Sequence, residues 1–229
     1  MIVDSMTFDD VFRKFQADIP LLNHKIEEGN KYYSRLSRNS RNKNRVYYNP
    51  IRFKSQRGFL YVIQFFCRGN NEPEKDKLGI FYYVMYIQNR GMHVFRSSQM
   101  NRTEWHVTHF IPHFFDRYRE RYCKDLSVDK KDVIHQFFIN NLRGVSQKKV
   151  IPSKKHPNEF WMAYPEGLCL CENPMGTFVR AKTFVSWDMA RIDQKQFVLE
   201  GLRALQDYDF ELNLPVEDFE EYEFISNDE

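Results

Sequence analysis

The sequence predicts an α+β fold: an antiparallel sheet packed against helices, in a single domain (45–206) with a helical N-terminal extension (1–44) and an acidic C-terminal tail (207–229). Three observations predict it. Runs of β-branched and aromatic residues recur between Val46 and Phe110 and again between Glu159 and Val185. Two amphipathic helical patterns lie between those groups. Neither an internal repeat nor a clear linker interrupts the chain, and 21 Phe with 13 Tyr are enough for a sizeable core.

The elements follow in order. Thr7 and Asp10 have the spacing of a helix N-cap pair, and Phe8, Val11, Phe12, Phe15 and Ile19 then recur at helical intervals. Pro20 marks a break, with Leu21, Leu22 and Ile26 on a second short helix. Strands are predicted over Val46–Lys54, Phe59–Cys67 and Ile80–Ile87. Asn89-Arg90-Gly91 is a hairpin turn into Met92–Arg96. The strand Trp105–Phe110 alternates Trp105, Val107 and His109 with His106, Thr108 and Phe110, and runs into a helix opened by Pro112. A further helix covers Asp129–Asn140. After a Lys-rich connection, Glu159–Tyr164 and Leu168–Glu172 flank the turn Pro165-Glu166-Gly167. Thr177–Val185 is the last strand, and Ser186-Trp187-Asp188 leads into a helix bearing Phe197, Val198, Leu202 and Leu205.

Charge is unevenly distributed. Residues 204–229 hold ten acidic side chains and no Lys or Arg, which leaves the rest of the chain strongly basic. Between Lys31 and Arg57 there are nine basic residues and no acidic one, interleaved with Tyr32, Tyr33, Tyr47 and Tyr48. Cations for phosphates and aromatic faces for unpaired bases suit single-stranded nucleic acid. The expected binding residues are Arg35, Arg38, Arg41, Lys43, Arg45, Tyr47 and Tyr48, and the expected partner is RNA or another nucleic acid. A mobile loop over 37–45 is an equally good reading of the Ser, Asn and Arg there. The acidic tail either competes for the basic surface or serves only solubility.

No apolar run approaches the ~20 residues that span a bilayer, and Met1–Asp10 lacks the pattern of a secretory signal. Cys67, Cys123, Cys169 and Cys171 do not complete a familiar zinc pattern, so a cytoplasmic protein with reduced thiols is expected.

The segment Pro112–Tyr122 carries the chemistry. Phe114, Tyr118 and Tyr122 make an apolar seam, while His113, Arg117, Glu120 and Arg121 share another face of the same helix. Pro112 takes the first helical position, which puts His113 in the first turn. There free backbone N–H groups attract anions. An imidazole with two guanidinium groups suits phosphodiester chemistry. Read plainly, the same spacing gives solvated helix pairs worth only ~0.2–0.5 kcal/mol each.

This His-x3-Arg-x2-Glu-Arg helix, followed by a second helix and a three-stranded meander with Thr183 in Lys182-Thr183-Phe184, resembles small bacterial toxin-like ribonucleases of the RelE/barnase-like kind over roughly residues 105–188. The chain departs from them in its length and its aromatic N-terminal portion. The resemblance implies RNA cleavage without metal or cofactor. A ribose 2′-OH attacks the adjacent phosphate, leaving a cyclic phosphate and a free 5′-OH. His113 would move a proton. Arg117 and Arg121 would hold the phosphate, and Thr183 would donate to its oxygens. Glu120 would orient an arginine or carry the second proton. A toxin or defence role is implied too, with a partner protein such as an antitoxin.

Two other readings stay open. His106, His109 and His113, with Asp116 or Glu120, contain the donor types of a zinc site, but His106 and His109 point apart in a strand. A nucleic-acid-binding or protein-interaction module of the same fold, without turnover, is the alternative to the ribonuclease.

Overall fold

The computed structural model describes residues 2–37, 45–67, 78–99, 105–141, 145–146, 158–175, 178–192 and 194–196. The fold is α+β, with helices at the N-terminus and mainly antiparallel strands. The chain divides into two compact units, Met1–Gln99 and Met100–Glu229. That division differs from the sequence reading of one core domain beginning near residue 45. The tail 207–229 and the expected helical residues 197–205 lie outside the described residues. None of the described helices is long and apolar enough to cross a membrane.

In the first unit, α1 (Phe8–Gln16) opens on a capping box in which Thr7 and Asp10 exchange hydrogen bonds. The Thr7 hydroxyl and then the Thr7 N–H, both donating to the Asp10 carboxyl, hold it below its usual range. α2 (Ile19–Ser37) is a long helix rather than the short one expected. Pro20 lies in its first turn, where a missing N–H breaks no intrahelical bond. Buried Gly29 lets α2 approach closely, since a Cβ there would meet the Phe65 ring at 2.4 Å. Phe15 of α1 is fully buried against Phe95 and Tyr61, so these helices are part of the first unit's core and not an appendage to it.

The expected strand over Val46–Lys54 is two strands, β1 (Val46–Tyr47) and β2 (Ile51–Lys54), because Pro50 carries no ladder donor. Both pair antiparallel with β3 (Leu60–Cys67) at different places along it. Where the chain leaves β3 between them, buried Gln64 donates its side-chain amide to Tyr48 O at 2.6 Å. β4 (Leu78–Gln88) and β5 (Gly91–Gln99) complete this sheet as a hairpin. Asn89 and Arg90 both take positive φ, the conformation that a two-residue turn of this twist requires.

In the second unit, β6 (Trp105–Phe110) runs into α3 (Pro112–Tyr118), which continues as one π-helical turn, Arg119–Cys123, ended by Lys124 at φ 55°. α4 (Lys130–Asn140) is capped by Asp129. Short β7 (Val145–Ser146) lies in the expected Lys-rich connection. β8 (Glu159–Tyr164), β9 (Gly167–Met175) and β10 (Phe178–Ser186) form an antiparallel meander, and β6 pairs with β10 in parallel. The helices cover one sheet face. There Phe110, Phe114, Phe115, Tyr118, Phe137 and Phe184 pack ring against ring, mostly edge to face at centroid separations near 5–6 Å. Cys169 and Cys171 are buried, and burial pushes their thiols up; all four cysteines are free.

Candidate functional site

The exposed side of α3 carries a hydrogen-bonded chain. Arg117 Nε donates to His113 Nε2 at 3.0 Å, and Arg117 Nη1 donates to Glu120 Oε2 at 2.7 Å. Because Nε2 accepts, the ring proton of a neutral imidazole sits on Nδ1. All three side chains meet solvent, so as an ion-pair chain they add little stability. Chemically, one guanidinium spans two groups able to take or release a proton.

The other two expected catalytic residues are not brought to that chain. After Tyr118 the backbone takes the wider π-turn, closed by Lys124 N–H donating to Arg119 O at 2.9 Å. The extra residue in the turn shifts the next side chains around the axis, and Arg121 Nη1 donates to Phe184 O at 2.5 Å. The Phe184 ring packs on Phe114 and Tyr118, so its neighbour Thr183 takes the opposite face of β10. Zinc-type clusters of three His, Cys, Asp or Glu do not form among the described residues.

The sheet face that Thr183 joins gathers charged groups distant in sequence. Strand register sets Glu159 opposite Glu172, Glu172 opposite Arg180, and Arg180 beside His109. Two carboxylates directly opposite each other repel. Lys182 offsets this by reaching Glu159 at 2.6 Å and Glu172 at 3.6 Å, while Arg180 bonds Glu172 at 2.6 Å. The bond to Glu159, chiefly, pushes the Lys182 pKa up. His109 is buried, stacks on Phe178, and shares that ring with the Arg180 guanidinium.

A buried carboxylate is the other feature that sequence reasoning missed. Glu166, in the β8–β9 turn and 8% exposed, accepts from the Tyr118 hydroxyl at 2.6 Å, from Asn141 Nδ2 at 2.6 Å, and from Asn140 Nδ2. Its own N–H donates to Asn141 Oδ1 at 3.3 Å. Burial, and then the bond and charge of Glu166, push the Tyr122 phenol up to about 12. A raised phenol pKa adds stability that is complete below the unfolded value of about 10 and is lost as pH rises through 12. Phenolate absorbance should therefore show Tyr122 ionising near pH 12, and Glu166→Gln should move that step down. An unmoved step would break the link. A Glu between Pro and Gly reads as plain turn chemistry, so the only signal was the Asn pair ending α4.

In the first unit, the end of α2 meets β3 and the residues that follow β1. Tyr33 stacks on Tyr48 at 4.8 Å and 17°, packs on Phe65, and donates its hydroxyl to Asn49 O at 2.8 Å. The Arg45 guanidinium lies 4.8 Å from the Phe66 ring centroid and contacts the Tyr47 hydroxyl, and Tyr47 packs on Phe66. Arg35 is exposed on α2. Arg38, Arg41 and Lys43 lie outside the described residues. Of the expected binding residues, Arg35 thus lies before the stretch 38–44 and Arg45, Tyr47 and Tyr48 follow it, while the stack of Tyr33 on Tyr48 ties the two sides together.

No protein-family model, curated protein or solved structure matches this chain.

Proposed function

We propose that this protein binds single-stranded nucleic acid, RNA foremost, through the tyrosine and cation surface of its first unit. The stack of Tyr33 on Tyr48 carries the reading, because it joins the two sides of a stretch holding five basic residues and no acidic one. Cations there meet phosphates, and aromatic groups meet bases. The test is fluorescence anisotropy with labelled single-stranded RNA over a salt series. Log affinity should fall linearly with log salt, and Arg35→Ala and Arg45→Ala should each flatten the slope by about 0.7. Absence of salt-sensitive binding in the wild-type protein overturns the reading.

A second reading, metal-independent cleavage of the bound RNA, is favoured by one observation: Arg117 bonds an imidazole and a carboxylate at once. His113 and Glu120 would then be the two proton carriers flanking a phosphate-binding cation. Incubation with RNA in EDTA separates the readings. Cleavage lost in His113→Ala and Arg117→Ala supports the enzyme, and bound but intact RNA leaves a binding protein alone.

A further inference from the structure

Four tyrosines lie in the basic segment, and the structure gives them different roles. Tyr33 and Tyr48 stack on each other, Tyr33 packs on Phe65 as well, and Tyr47 is half-buried on Phe66. Tyr32 is 63% exposed. Its ring stands edge-on against Tyr33 at 4.9 Å and 80°, so it rests on a partner that stacking and the bond to Asn49 O already hold. Leu36, one helical turn on and 47% exposed, extends the same apolar strip. The adjacent row of α2 carries exposed Lys31 and Arg35. The acidic neighbour of Tyr32 one turn back, Glu28, is paired with Lys25 at 2.7 Å.

We infer that Tyr32 is the platform on which an unpaired base of a single-stranded RNA stacks, with Lys31 and Arg35 holding the flanking phosphates. The inference rests on the nucleic-acid reading and adds to it the reason for strand preference. A duplex hides its base faces inside the helix and offers only phosphates, whereas a single strand offers both. A buttressed ring also loses little side-chain freedom when a base lands on it.

The experiment compares labelled single-stranded and duplex RNA by anisotropy, using wild type, Tyr32→Ala, Tyr32→Phe and Tyr32→Trp. Tyr32→Ala should weaken single-strand binding roughly tenfold with an unchanged salt slope, because stacking releases no counterions. Duplex binding should not move. Tyr32→Phe should bind as wild type, and the indole emission of Tyr32→Trp should be quenched by a single strand. Wild-type affinity in Tyr32→Ala, alongside losses in Lys31→Ala and Arg35→Ala, sinks the stacking role and keeps the RNA reading. Failure of wild type to bind RNA with salt sensitivity sinks both. An apolar peptide bound at Tyr32 in place of RNA would likewise overturn the inference.

Discussion

Replacing Glu166 by Ala should lower folding stability by about 3 kcal/mol, measured as a shift of the urea midpoint. The carboxylate is nearly buried and has neutral donors around it: the Tyr118 hydroxyl and the Asn140 and Asn141 amides. A hydrogen bond to a charged acceptor contributes about 1.5–3 kcal/mol, and a buried donor left without its acceptor costs about 1–3 kcal/mol. Tyr118 is fully buried, so water cannot replace the lost partner cheaply. The arrangement also explains why the carboxylate lies in a turn. From there it ties the β8–β9 hairpin to α3, to the π-turn and to the end of α4, while the Trp187 indole N–H donates to Tyr164 O and Pro165 O beside it. Glu166→Gln keeps an acceptor oxygen and should lose less. A midpoint unchanged in Glu166→Ala would mean that the network carries no stability.

How much of this was legible in the sequence depends on the distance over which each signal acts. Local chemistry read well. The strand Trp105–Phe110 has the predicted bounds, the hairpin turn expected over Asn89-Arg90-Gly91 is present with Asn89 and Arg90 as its loop, and Asp129 caps the predicted helix. The stripe His113–Arg117–Glu120 also holds together, because spacing of three and four residues is local information. Its extension to Arg121 failed because a π-turn has no distinct residue signature, and one added residue per turn is enough to send the guanidinium to β10. Thr183 failed for a related reason, since its face depends on strand alternation and on a shift of register between Ala181 and Thr183. The row Glu159, Glu172, Arg180 and His109 is assembled by pairing among four strands, one pair of them parallel. Such rows are invisible until the register is known. Pro20 and Pro50 both mark boundaries: Pro20 lies in the first turn of the second helix, just after the expected break, and Pro50 splits an expected strand.

Asp18→Ala should cost about 2 kcal/mol, and the loss should depend on Tyr61. Asp18 is 2% exposed at the junction of α1 and α2, where it accepts from Arg57 Nη1 at 2.6 Å and from the Tyr61 hydroxyl at 3.0 Å. The two partners differ in what they lose. The Arg57 side chain is 44% exposed, so its guanidinium can turn to water and the ion pair itself adds little. Tyr61 is fully buried, and burial, then the Asp18 charge, holds its phenol well above the ordinary range. Without the carboxylate its hydroxyl becomes a buried donor with no acceptor, which is where most of the loss arises. Tyr61→Phe removes that donor, so the double variant should lose much less than the sum of the two singles. Urea unfolding of wild type, both singles and the double measures the coupling. Additive losses would show that Arg57, not the phenol, is the partner that anchors Asp18 to the first unit's sheet.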